Sequence, residues 1–204
     1  MSKALVILCG GDSSRMGTDK ALLPFKDKCL IEYIIDKYAP FFDKIYLSVN
    51  QRGQYLDLNL DVQEIPDIYL NAGPMGAILS SLTMISEDRA FFMSVDNPFL
   101  DPATGIYLLD HSQDYHITSF NFSGDYLDTI CAVYSKSCIV ALGKCILQKN
   151  ITKSQFYSKC YTNLIELDKL SEASSIPFDQ QFYPMKDRNA YYMAIMAILK
   201  GNFL

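Results

Sequence analysis

Tryptophan is absent and histidine occurs only twice, at His111 and His116, in a chain of 204 residues. A multi-histidine metal centre is therefore excluded, and imidazole base catalysis has few places to act from. The six cysteines (Cys9, Cys29, Cys131, Cys138, Cys145, Cys160) include no Cys-x-x-Cys pair, so the familiar zinc and dithiol signatures are missing. Their expected place is the core, as small apolar side chains, with zinc binding or a disulfide framework as the alternative. Cys131, Cys138 and Cys145 recur every seven positions, a spacing that would align two or three of them on one helix face.

Positive charge is also short. Lys and Arg number 18 against 23 Asp and Glu, a net charge of −5, which gives no long-range attraction for nucleic acid or an anionic membrane. Any phosphate must be held by individual cations, backbone amides or metal. No apolar run approaches the roughly 20 residues of a membrane span. Met1-Ser2-Lys3 leads straight into a strand-like run without a signal-peptide pattern, so a cytoplasmic location is expected. Two phosphate loops are missing too. The lysine that follows Gly17 does so by three positions, which breaks the Walker A pattern. Gly10 and Gly11 are adjacent, which breaks the dinucleotide fingerprint.

What is present is an apolar half of the chain, enough for one domain with a sizeable core. Residues 4–9 read as a buried parallel strand, 30–38 as a helix ended by Pro40, and 44–49 as a second strand closed by Asn50. Residues 62–65 suit a short third strand, 75–85 a helix entered through Gly73-Pro74, and 90–95 a fourth strand stopping at Asp96-Asn97-Pro98. That alternation marks an α/β fold with a parallel sheet. Asn97 is a candidate cap for a helix after Pro98. Further on, 116–122 and 126–134 read as strands around a Ser123-Gly124-Asp125 turn, with helices over 135–147 and 190–199.

The densest chemistry lies just after the first strand: paired glycines, a polar turn with Arg15, Gly17, then Lys20. In a parallel sheet that loop sits at the carboxyl end of the strands, where ligands bind. Bare backbone amides can bind phosphate oxygens there, and Arg15 and Lys20 add full charges. A plain glycine-rich turn with solvated cations is the alternative.

Residues 8–11 (Leu-Cys-Gly-Gly), Ser13 or Ser14, Arg15-Met16-Gly17 and Asp19-Lys20-Ala21-Leu22-Leu23 resemble the signature of molybdenum cofactor guanylyltransferases. These belong to the wider nucleotidyltransferases of glycosyltransferase-A-like fold. Sugar-nucleotide pyrophosphorylases and the cytidylyltransferases of isoprenoid synthesis more often show Ala-Ala-Gly and a Pro-Lys pair. Ser48-Val49-Asn50, then Ile65-Pro66-Asp67 with Gly73-Pro74-Met75, then Ser94-Val95-Asp96-Asn97-Pro98-Phe99 agree with the family in order and spacing. The likeness covers about the first hundred residues.

The resemblance implies a three-layer αβα, Rossmann-like fold with a mostly parallel sheet. It implies transfer of GMP from GTP to the terminal phosphate of molybdopterin, with release of pyrophosphate. The nucleophile is already an anion, so no general base is needed, and the work is positioning and neutralising charge. By this resemblance Asp96 binds Mg²⁺, Lys20 the triphosphate, and Arg15 the departing pyrophosphate. Leu8, Cys9, Gly10 and Gly11 offer backbone to base and ribose, Asn50 contacts the nucleotide, and Asp67 reads the guanine N1–H and amine. For Asp96 a capping or turn role, and for Asp67 an exposed loop position, remain the alternatives. The single domain divides into a nucleotide-binding half, about 1–100, and an acceptor-binding half, about 101–204. The chain is expected to act as a monomer, in transient contact with cofactor-biosynthesis proteins and acceptor molybdoenzymes.

The carboxyl end departs from the family. Where an Asn-x-Asn-Thr-Pro stretch belongs, this chain has Phe182-Tyr183-Pro184-Met185-Lys186-Asp187-Arg188-Asn189. Lys186 and Arg188 are expected to attract the acceptor phosphate and Asn189 a pterin edge, unless Asp187 or Asn189 merely caps the last helix. Other outcomes stay open: a nucleotidyltransferase using CTP or loading a sugar or alcohol phosphate, or a nucleotide-binding regulator without catalysis.

Overall fold

The first strand, β1 (Ala4–Leu8), is buried at every residue, and its side chains enter two separate cores. Leu5 and Ile7 join one cluster, while Ala4, Val6 and Leu8 join the other. A strand apolar on both faces requires cover on both. In this computed structural model, which describes residues 2–10, 18–69, 72–122, 130–148 and 152–200, helices supply that cover.

A two-stranded hairpin, β2 (Pro24–Phe25) and β3 (Lys28–Cys29), precedes α1 (Leu30–Tyr38), β4 (Lys44–Val49), β5 (Gln63–Pro66), α2 (Gly73–Met84) and β6 (Arg89–Ser94). Then come α3 (Pro102–Asp110), β7 (Ile117–Phe120), β8 (Cys131–Ser135), α4 (Ile139–Leu147), α5 (Lys153–Tyr157) and β9 (Thr162–Ile165). Two single turns, α6 (Leu170–Ala173) and α7 (Phe178–Gln181), lead to α8 (Arg188–Leu199). The main sheet runs β5-β4-β1-β6-β8-β7-β9. Pairing is parallel except along β8, which opposes both β6 and β7. One face packs α1, α3 and α8, the other α2, α4 and α5. Each fully buried Leu, Ile or Phe side chain contributes about 1.5–3 kcal/mol. The result is the three-layer αβα fold with a mostly parallel sheet.

Helix α1 occupies the expected residues, closed at its start by Cys29 N–H donating to Glu32 Oε2 at 2.9 Å. The helix expected from residue 75 begins at Gly73, whose φ of +59° suits glycine, with Pro74 in the first turn. The two strands expected at 116–122 and 126–134 are found as Ile117–Phe120 and Cys131–Ser135. The turn between them lies outside the described residues. One expectation fails. Asn97 caps no helix, because α3 starts at Pro102 and is capped by Asp101 Oδ1 accepting from Ala103 N–H at 3.0 Å. All six cysteines are unpaired thiols, four of them buried. Cys131 lies on β8, Cys138 ends a 3-10 turn (Lys136–Cys138) and Cys145 lies on α4, so the seven-residue spacing carries no shared helix face across all three.

Candidate active site

Past β1 the chain keeps pairing with β4: Cys9 N–H and Gly10 N–H both donate to Ser48 O, at 2.9 and 3.2 Å. Cys9 is buried and Gly10 exposed. A Cβ on Gly10 would stand 2.8 Å from Asn50 Oδ1, so the Asn50 side chain lies close across this strand end. Burial, with a smaller push from Asp19, raises the Cys9 thiol far above its ordinary range. The Cys9 thiol is turned to the backbone, donating to Ile7 O.

Lys20 opens a 3-10 turn (Lys20–Leu22) capped by Asp19 Oδ1, which accepts from Ala21 N–H at 3.0 Å. The other carboxylate oxygen of Asp19 accepts from Gln54 Nε2 at 2.9 Å and Tyr55 OH at 3.0 Å. Gln54 Oε1 in turn accepts from Asn50 N–H at 3.0 Å. A chain of hydrogen bonds therefore ties the Lys20 turn to Asn50. Tyr55 is buried, and desolvation raises its hydroxyl pKa well above the usual tyrosine range, so it donates as a neutral phenol.

Asp96 follows β6, whose register beside β1 brings its carboxyl end level with Cys9 and Gly10. Lys20 Nζ meets Asp96 Oδ2 at 3.4 Å, both side chains 21% exposed. The loop after Asp96 is held from several sides. Met185 N–H donates to Asp96 O at 2.8 Å, Lys37 Nζ to Pro98 O at 3.0 Å, and Tyr38 OH to Leu100 O at 2.8 Å. Burial pushes the Lys37 ammonium down to about 8. Asn97 is buried, and its Oδ1 has no hydrogen-bond partner among the described residues.

Asp67 continues β5 next to β4, its N–H donating to Val49 O at 2.8 Å. Its Oδ1 accepts from Tyr69 N–H at 2.9 Å and Ser80 OH at 2.8 Å. One carboxylate oxygen is thus committed to fixing the loop onto α2, and the side chain is half-buried. A Cβ on Gly76 would sit 2.6 Å from Tyr69 O, so glycine at this position of α2 lets the loop's backbone pack against the helix.

The structure thus gathers Leu8, Cys9, Gly10, Lys20, Asn50, Asp67 and Asp96 at the carboxyl edge of the parallel strands. Gly11 and Arg15 lie outside the described residues. The divergent tail also reaches this edge through Met185, while Lys186, Arg188 and Asn189 are exposed and Asp187 caps α8 by accepting from Ala190 N–H at 2.9 Å. Sequence reading missed Asp19, Gln54, Tyr55 and Lys37 as supports. Only Asp19 left a signal, since aspartate just before a helical turn is a capping residue.

Open α/β sheets bind ligands at the carboxyl edge of their parallel strands, and Gly10 and the Lys20–Asp96 pair lie at that edge. Residues 5–159 match the MobA-like NTP transferase domain family. A Clostridium perfringens protein named "probable molybdenum cofactor guanylyltransferase" is 29% identical over 194 residues, covering 94% of this chain and 91% of that one. A protein of the same name from Natranaerobius thermophilus is 31% identical, over 71% of this chain and 72% of its own. The solved structure of molybdopterin-guanine dinucleotide biosynthesis protein A from Archaeoglobus fulgidus superposes with a TM-score of 0.79 at 20% identity. It covers 97% of this chain and 99% of that one, which establishes the shared fold. This chain belongs to the MobA-like NTP transferase family and is a nucleotidyltransferase. None of its helices, among the described residues, is long and apolar enough to cross a membrane.

Proposed function

We propose that this chain transfers the GMP unit of GTP to the terminal phosphate of molybdopterin, releasing pyrophosphate and leaving the guanine dinucleotide cofactor. The observation that carries the reading is the approach of Lys20 to Asp96 across 76 residues of sequence, beside the glycine-ended first strand. Lys20 binds the triphosphate, and Arg15 takes the charge of the departing pyrophosphate. Leu8, Cys9, Gly10 and Gly11 would offer backbone to base and ribose, and Asn50 would contact the nucleotide. Asp67, with one oxygen anchored, has the other left to accept from guanine. Such matched, fixed hydrogen bonds discriminate strongly between bases.

The residues present suit a divalent metal of the hard kind. Asp96 is a partly exposed carboxylate, and next in sequence stands Asn97, whose buried Oδ1 has no hydrogen-bond partner among the described residues. No cluster of three or more His, Cys, Asp or Glu side chains competes among the described residues. Magnesium characteristically takes one or two carboxylates and leaves its other positions to phosphate and water. Bound there by Asp96, Mg²⁺ would neutralise phosphate charge. Lys20 would add its charge at the outer phosphates, and the protein's part is to position the two reacting phosphates. Residues 1–100 form the nucleotide half of one domain and 101–204 the acceptor half. The enzyme works as a cytoplasmic monomer and passes its product on by transient contact with molybdoenzymes.

The test is pyrophosphate release and dinucleotide formation, read by mass spectrometry, from purified protein, molybdopterin, magnesium and each of GTP, CTP, ATP and UTP. GTP should be used far faster than the rest. Faster turnover of CTP would replace the guanylyltransferase reading with a cytidylyltransferase. No pyrophosphate from any nucleotide would leave a binding protein without catalysis.

A further inference from the structure

Two of the six thiols meet on the face of the sheet that α4 covers. Cys138 ends the turn that leads into α4, and Cys160 lies between α5 and β9. Cys138 is fully buried and Cys160 half-buried. The residue before β7 brings them together. Cys138 Sγ donates to His116 O at 3.0 Å. From the other side of that residue, His116 N–H donates to Tyr161 O at 2.8 Å and Tyr161 N–H to His116 Nδ1 at 3.3 Å. Cys138 belongs to the cluster beneath α2, α4 and α5, and Cys160 packs against it. The two thiols share a hydrogen bond that Cys138 donates.

The topology sets this pair apart from the candidate active site. Ser135, at the end of β8, pairs with Arg89 at the start of β6. Thr162, at the start of β9, pairs with Ile117 at the start of β7. Both cysteines therefore lie at the amino edge of the parallel strands, opposite Lys20 and Asp96. The shared proton makes the two sulfurs unequal. The bond from Cys138 lowers the pKa of Cys160, with burial pushing the other way, and the same bond, helped by burial, raises that of Cys138. Cys160 is thus both the thiol that ionises first and the one that solvent reaches, with a second thiol in contact to resolve it. No group of three or more His, Cys, Asp or Glu side chains fit for a metal ion forms among the described residues, so the chemistry of the pair is that of a dithiol.

We propose that Cys138 and Cys160 form a reversible redox pair, closed to a disulfide by a hydroperoxide and reopened by a thiol reductant. The Cys160 thiolate attacks one oxygen of hydrogen peroxide, the O–O bond breaks, and the departing hydroxide takes up a proton to become water. The Cys138 sulfur then attacks the Cys160 sulfenic acid. The S–S bond forms, the S–O bond breaks, and the oxygen leaves with the Cys138 proton as a second water. Two thiols thus give two electrons to one peroxide. Both residues sit in turns rather than in strands, so closing to a bond of about 2.05 Å asks movement of the turns alone. The closed bond ties the start of α4 to the turn before β9, and it stabilises the fold by constraining the unfolded chain between them.

The test treats the reduced full chain with stoichiometric hydrogen peroxide, blocks the remaining thiols with N-ethylmaleimide, and maps unreduced peptides by mass spectrometry. The expected product joins Cys138 to Cys160, loses two of the six alkylatable thiols, and regains both with dithiothreitol. Cys138→Ala should stop at the sulfenic acid, trapped by dimedone on Cys160, and Cys160→Ala should form no disulfide. Thermal unfolding checks that each variant folds, and the wild-type map decides the linkage whether or not they do. The oxidised wild type should melt about 6–12 °C above its reduced form, with no such rise in Cys160→Ala. Both cysteines still alkylated after peroxide, or a linkage to another cysteine or another chain, would overturn the proposal. So would a folded Cys138→Ala without a dimedone adduct on Cys160, or an unchanged or lower midpoint on oxidation. None of these readouts depends on the proposed guanylyl transfer.

Discussion

Replacing Asp19 with alanine should cost both stability and nucleotide affinity, because this carboxylate joins the Lys20 turn to the strand end at Asn50. It accepts three hydrogen bonds, from Ala21 N–H at 3.0 Å, Gln54 Nε2 at 2.9 Å and Tyr55 OH at 3.0 Å. Loss of the turn's cap alone is worth about 1 kcal/mol. Tyr55 is 3% exposed, so stranding its hydroxyl proton adds about 1–3 kcal/mol. The sum is about 2–4 kcal/mol, which for a chain of this size lowers the melting midpoint by about 4–16 °C. Urea unfolding measures the free energy directly. Tyr55→Phe alone should cost only about 1 kcal/mol, and the double variant less than the sum of the two singles, since both break one bond. The functional arm is the KM for GTP, which should rise in Asp19→Ala under conditions where the variant is fully folded, as the Lys20 turn loses its tether. A destabilisation below about 1 kcal/mol, strict additivity, or an unchanged KM would refute the network as the support of Lys20.

Asp96→Asn should fold normally yet lose about 10²-fold or more in transfer, since an amide supplies neither the charge nor the same metal affinity; full magnesium-dependent activity would remove Asp96 from the metal. Lys20→Ala should weaken GTP more than GMP, and an equal loss for both would move Lys20 away from the outer phosphates. Asp67→Asn should narrow the preference for GTP over ITP, which lacks the exocyclic amine; wild-type indifference between them would end the proposed readout of that amine. Lys37 predicts a pH effect. Its folded-state pKa of about 8 lies below the ordinary 10.5, chiefly through burial, so holding its charge destabilises the fold below pH 8. As pH rises from about 8 to 10.5 the folded state gives up that proton before the unfolded chain does. Stability of the wild type relative to Lys37→Met should therefore increase by up to about 1.4 kcal/mol per pH unit. Parallel urea-unfolding curves for the two proteins across that window would refute it.

The strands and helices of the first half were legible because each obeys a local rule. β1 is a continuous aliphatic run, and α1 repeats its apolar residues every three or four positions and stops before Pro40. That Gly10 and Asp96 fall at one edge was legible too, since strand ends in a parallel sheet converge there. Local rules failed where the signal was weak or overlooked. β9 is an edge strand with a polar, half-exposed sequence, and α3 announces itself only by Asp101 capping ahead of Pro102, which the Asp-Asn-Pro stretch upstream obscured. Contacts between distant segments were beyond any local rule. The approach of Lys20 to Asp96, the tether from Asp19 to Gln54 and Tyr55, and the grip of Lys37 and Met185 on the Asp96 loop all join residues far apart in the chain. Composition and periodicity determine which residues can be buried and in what element. Only the packed sheet, through its strand order and register, decides which polar side chains that burial leaves facing one another.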